Sequence, residues 1–168
     1  MNRVVTFVLG TMLIWCGVFV PPGKAENAVL KRQCEDKAGK AAELIRELGA
    51  AAAFEKITAP EGPFIDGNSH VFCIDSENAV LLAHKVSRFV GVNMHNYKDA
   101  DNNSPYTDIL DRAKNQKSGW TSYLTYGSGP DKRQTPGLKN MYFLKVPGQS
   151  IVLCCGYWED HGSKEGAP

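Results

Sequence analysis

The chain has 168 residues, 43% hydrophobic and 22% charged, the size and balance of one globular domain. Its 19 basic and 18 acidic residues nearly cancel. It therefore lacks the cationic surplus that a phosphate backbone demands, and nucleic acid is not an expected partner.

Arg3 precedes 17 uncharged residues, Val4–Val20, closed by Pro21 and Pro22 and followed by Gly23-Lys24-Ala25. This order reads as a secretory signal peptide over 1–25, cut after Ala25. The rival is an uncleaved anchor, but the run falls short of the ~20 residues that cross a bilayer. Leu13-Ile14-Trp15 ahead of Cys16 lacks the small residues of a lipoprotein signal. Without Arg3 and Lys24, 17 of the 19 basic residues face 18 acidic ones, a net −1. A periplasmic or secreted protein is expected, with no stable membrane insertion after cleavage.

The expected domain is 26–160, helix first and sheet second. Val29, Leu30, Ala38, Ala41, Ala42, Ile45, Leu48, Ala52 and Phe54 recur at helical spacing, so Glu26–Lys56 reads as one amphipathic helix. Pro60, Gly62, Pro63 and Gly67 break it. Val71–Asp75 and Ala79–Lys85 form a hairpin through Ser76-Glu77-Asn78. After a polar, irregular stretch, Ser104 or Pro105 starts a short helix over Tyr106–Asn115. Trp120–Tyr126, Lys139–Val146 and Ser150–Trp158 are three further strands, the first two separated by the loop Gly127–Gly137 and the last two by Pro147-Gly148. A polar tail, 161–168, follows. This is an α+β pattern in which the helix covers one sheet face and the 87–118 segment roofs the other, where a cavity can form.

Cys34, Cys73, Cys154 and Cys155 remain after cleavage, an even set that suits disulfides in an oxidising compartment. Cys154 and Cys155 point to opposite faces of a strand. One bridge from Cys34 to one of that pair is expected, without a choice among the connectivities. A metal site is not, because no C-x-x-C pair or spaced histidine accompanies them. Asp99-x-Asp101-x-Asn103 lacks the EF-hand glycine and glutamate, having Ser104 and Leu110 there. No haem-attachment or hydrolase motif occurs, so no cofactor and no enzymatic activity are expected.

Several segments in order carry a family likeness. They are Ala53-Phe54 with Gly62-Pro63-Phe64-Ile65-Asp66-Gly67, Val71-Phe72-Cys73-Ile74-Asp75, Leu82-Ala83-His84, and Gly91-Val92-Asn93 with Lys98-Asp99-Ala100-Asp101. Gly119-Trp120-Thr121-Ser122-Tyr123, Lys139-Asn140-Met141-Tyr142 and Val146-Pro147-Gly148 with Gly156 complete the series. Across Gly49–Tyr157 the chain resembles the single Cache domain of type 2, an extracytoplasmic PAS-like sensor module. It departs at Lys85 and Ile151, at Glu77-Asn78 and Asn102 where glycines are usual, and at Cys154-Cys155. The resemblance implies a long N-terminal helix on a five-stranded antiparallel sheet, a ligand pocket on the opposite face, and a short organic acid as ligand. It also implies a membrane receptor or kinase as downstream partner of a free-standing exported form.

A carboxylate needs cations or strong donors for its oxygens and apolar walls for its tail. Lys139 and His84 are the candidate donors, Tyr123 and Tyr142 the hydroxyls, and Trp120 and Phe72 the walls. Strand alternation sets Tyr142 opposite Lys139 and Trp120 opposite Tyr123, so the six cannot all line one pocket. Asp66 and Asp99 read as turn caps. Two other readings stand beside this one: an interaction domain with a vestigial pocket, and a redox-linked protein using Cys154-Cys155.

Overall fold

In the computed structural model, which describes residues 22–67, 69–126 and 136–159, the first described element is helix α1, Pro22–Leu48. Pro22 thus lies in a helix where the sequence suggested that one would end. Residues 1–21 of the expected leader and the tail 161–168 lie outside the described residues. So do 127–135 of the expected loop.

The single helix expected over Glu26–Lys56 is two. Gly49 takes φ +78°, a left-handed value without steric cost for glycine. Its N–H donates to the Ile45 carbonyl at 3.0 Å and closes α1. Helix α2, Ala50–Thr58, follows directly after it. Hydrophobic spacing runs through one glycine unbroken, which is why periodicity alone joins the two.

The strands are β1 (His70–Asp75), β2 (Leu81–Ala83), β3 (Ser118–Thr125), β4 (Gly137–Lys145) and β5 (Ile151–Trp158), with α3 (Pro105–Asn115) before β3. They form one antiparallel sheet in the order β2-β1-β5-β4-β3. The expected α+β architecture is therefore present. β5 is central and buried from Ile151 to Tyr157, and an unbroken apolar run is what a strand covered on both faces requires. β2 is shorter than expected. The Asp75 carboxylate accepts the N–H groups of Glu77 and Asn78 at 2.7 and 3.0 Å. Ala79 leaves that turn at φ +57° and does not begin a strand.

Pleating sends Val71, Cys73, Leu153, Cys155 and Tyr157 to the face under α1 and α2, where they meet Cys34, Ala41, Ile45, Ala53 and Ile57. Phe72, Ile74, Met141, Phe143, Val152 and Cys154 point to the other face, against Ile109, Leu110 and Ala113 of α3. Polar contacts pin α1 across the first face. Asn27 Nδ2 donates to Glu159 Oε1 at 3.0 Å, Trp120 Nε1 donates to Glu35 Oε1 at 2.9 Å, and Lys37 Nζ donates to Ser69 Oγ at 2.7 Å while pairing with Asp66. Asp66 and Asp99 are turn caps: Asp66 Oδ1 accepts Ser69 N–H, and Asp99 Oδ1 accepts the N–H groups of Asp101 and Asn103.

Candidate ligand-binding site

Helix α3 has eleven residues, about 16 Å of axis, and its apolar side covers one end of the roofed face. At the other end β1 and β4 begin and β3 and β5 finish, with Lys139 opposite both Tyr123 and Trp158. There the roof stands off the strands over a cavity of about 270 Å³. His70, Phe72, Tyr123, Lys139 and Trp158 rise from the sheet, and His84 closes one side beyond β2. Phe89, Met94, Tyr97 and Tyr106 come from the roof, and exposed Val92 and Tyr126 stand at the rim.

Of the six candidate residues, Lys139, His84, Tyr123 and Phe72 line this cavity. Trp120 and Tyr142 do not, a correction to the candidate set. They stack on each other under α1 with ring centres 5.3 Å apart, on the far side of the sheet. The cause is the alternation along β3 and β4, which no bulge interrupts. His70 was missed, although its even spacing from Phe72 and Ile74 was a usable signal. Trp158 was missed too, although it shares parity with Cys154. Tyr97 had no such signal, because irregular backbone carries no period, whereas Tyr106 stands in the first turn of α3 at helical spacing from Ile109, Leu110 and Ala113, a usable signal.

The two histidines form a directed pair. Val86 N–H donates to His84 Nδ1 at 3.0 Å, so that nitrogen carries no proton. The network then assigns the proton to His84 Nε2, which donates to His70 Nε2 at 3.1 Å. Burial holds both rings neutral, and the Lys139 charge adds to it. His70 is pushed down to about 2 and His84 to about 4. This tautomer chain leaves His84 Nε2 without a lone pair for a metal. Among the described residues, no cluster of three His, Cys, Asp or Glu could hold one.

Lys139 is the cation among the described lining residues. It is partly buried, and its Nζ sits 5.5 Å from the centre of the Trp158 ring. Burial first and the Lys85 charge second pull it down to about 8. No aspartate or glutamate is among the described lining residues. The hydroxyls of Tyr106 and Tyr123 meet at 3.3 Å, and Tyr97 shares a 2.6 Å hydrogen bond with Thr125. Burial raises Tyr106 and Tyr123 well above the ordinary phenol value, so both keep their protons.

The cysteines divide between the faces. Cys154 lies on the cavity side of the sheet and Cys155 under α1, the opposite faces that strand alternation leads one to expect, so the pair named in the alternative redox reading is split between them. The Cys155 thiol instead donates to Cys34 Sγ at 3.1 Å. That bond, with help from the Lys37 charge, holds the Cys34 thiol below its ordinary value against the opposing effect of burial. It and burial raise Cys155. All four described cysteines are buried.

No family model and no curated protein matches the sequence. Solved structures do. A methyl-accepting chemotaxis protein from Vibrio parahaemolyticus superposes with TM-score 0.65 at 16% identity, over 82% of this chain and 94% of that one. A periplasmic sensor domain of a chemotaxis protein gives 0.59 at 14% identity, over 82% and 95%. A Cache chemosensory domain, solved for its recognition of carboxylic acids, gives 0.57 at 16% identity, over 82% and 94%. The fold is a Cache fold. Within it, one sequence departure has a local reason. Asn102 stands where a glycine is usual and adopts φ +64°, a conformation asparagine tolerates better than other side chains. Among the described residues, no helix is long and apolar enough to cross a membrane.

Proposed function

We propose that the chain is an extracytoplasmic, sensor-type binding module, not an enzyme, and that its cavity takes a small organic carboxylate. The observation that carries this reading is Lys139, a cation in a lining that has no acidic side chain among the described residues. In a partly dry site such a charge costs free energy until an anion joins it. The periplasmic sensor domain and the Cache chemosensory domain of like fold support the assignment to sensing, and carboxylic acid recognition by the latter supports the ligand class. The reading requires a membrane receptor or kinase as the partner that reports the bound state.

The dimensions sharpen the ligand. A volume of about 270 Å³ equals about nine waters at ~30 Å³ each, more than a two-carbon acid fills. Phe72, Phe89, Tyr97, Tyr106 and Trp158 surround it with ring surface. A monocarboxylate with a branched or aromatic tail fits that space best, its carboxylate on Lys139 and its tail towards Met94 and Tyr106. An interaction domain with a filled, vestigial pocket is disfavoured by the same volume.

A calorimetric and thermal-shift panel of monocarboxylates, from acetate to aromatic acids, tests this. Binding is expected to tighten with tail size, to vanish in Lys139→Met, and to survive in Trp120→Phe, which changes the opposite face. A stabilising acid whose affinity is unchanged by Lys139→Met would falsify the assignment.

A further inference from the structure

We propose that Cys34 of α1 and Cys155 of β5 are oxidised to a disulfide that ties the long helix to the central strand. Their sulfurs lie 3.1 Å apart, and neither residue has any exposed surface. A bond needs ~2.05 Å, so closing it asks for a shift of only about 1 Å. The partners are unambiguous. Cys73 faces Leu153, and Cys154 faces Phe72 and Phe143, so neither meets another cysteine across the sheet. The bridge would join positions 121 residues apart and remove much of the freedom of the unfolded chain.

The oxidant is a disulfide-bearing thiol compound or oxidoreductase, the class that extracytoplasmic compartments supply. In this one respect the inference rests on the proposed location. The Cys34 thiolate attacks one sulfur of that disulfide and expels the other as a thiolate. The Cys155 thiolate then attacks Cys34 Sγ in the mixed disulfide and expels the second thiolate. Two electrons pass to the oxidant, and the two thiol protons end on its two sulfurs. Exchange precedes the docking of α1, which then seals the bridge from solvent.

The test refolds the reduced full chain in a buffer of oxidised and reduced glutathione, alkylates free thiols under denaturing conditions, and maps the peptides. This supplies the oxidant directly, so a failure here is separable from a failure of the ligand assignment, which is read by calorimetry on the same sample. A peptide linking Cys34 to Cys155 is expected, with Cys73 and Cys154 alkylated. Reduction should lower Tm by on the order of 10 °C. Cys34→Ser and Cys155→Ser should each abolish that reductant-dependent shift, while Cys73→Ala keeps it. Alkylation of both Cys34 and Cys155 in the unsubstituted chain, or a link from either to Cys73 or Cys154, overturns the proposal without recourse to any variant.

Discussion

The two faces of the sheet are made by the same strands and do opposite things. Under α1 and α2, small and branched side chains close-pack: Ala38, Ala41, Ala53, Ile45 and Ile57 have no exposed surface. On the other face a short helix covers one end, and aromatic rings, two neutral histidines and a lysine surround a hollow at the other. Burial that stabilises the first face is withheld from part of the second, where a cation is held away from bulk water. The contrast teaches that stability and recognition here are divided by strand parity, residue by residue.

The largest expected effect lies on the closed face. Ile45→Ala should lower unfolding free energy by about 2–4 kcal/mol in urea titrations, while the affinity of the folded fraction for a carboxylate stays constant. A comparable loss of affinity would show that the faces are not independent.

On the hollow face the sign reverses. Lys139 falls from 10.5 in the open chain to about 8 when folded, so its charge opposes folding at neutral pH. Stability should climb as pH rises from about 8 to 10.5, where the unfolded chain binds the extra proton. Lys139→Met should be more stable at pH 7 by on the order of 1–3 kcal/mol, lose that alkaline climb, and bind no carboxylate. Equal or lower stability would mean the ammonium is better solvated than its surroundings imply.

The histidine pair shapes the acid side. His70 drops from 6.5 to about 2 and His84 from 6.5 to about 4. Below pH 6.5 the unfolded chain therefore takes up protons that the folded chain refuses. Stability should decline as pH falls from 6.5 towards 5, a range in which ordinary carboxylates do not titrate, by up to about 1.4 kcal/mol per pH unit for each ring. His70→Gln keeps an acceptor for His84 and should make the decline shallower in thermal melts. An unaltered slope would place the titration elsewhere.

The smallest effect is expected outside the cavity. Ala79 holds a left-handed φ of +57°, so Ala79→Gly should stabilise by about 0.5–1 kcal/mol. Calorimetric Tm is the readout, and a drop would mean that the buried methyl matters more than the backbone strain.

Much of this architecture was legible beforehand, for physical reasons. Long apolar periods mark the helices and strands, and alternation along β4 sets Lys139 and Tyr142 on opposite faces. The same alternation set Trp120 against Tyr123, and the structure resolves that opposition by leaving Tyr123 in the cavity and Trp120 bound to Glu35. Illegible were the break at Gly49, which hydrophobic spacing cannot register, and the roof residue Tyr97, whose irregular backbone has no period to read. Illegible too was the partner of Cys34, because a sulfur contact between residues 121 apart leaves no local trace.

By itself, then, the sequence determined the order of the elements and which side chains share a strand face, since both follow from local periodicity. Only the tertiary structure decided which face stays hollow, where the proton sits between His70 and His84, and which cysteine meets Cys34. Those outcomes depend on distances between segments remote in the chain, and packing alone sets such distances.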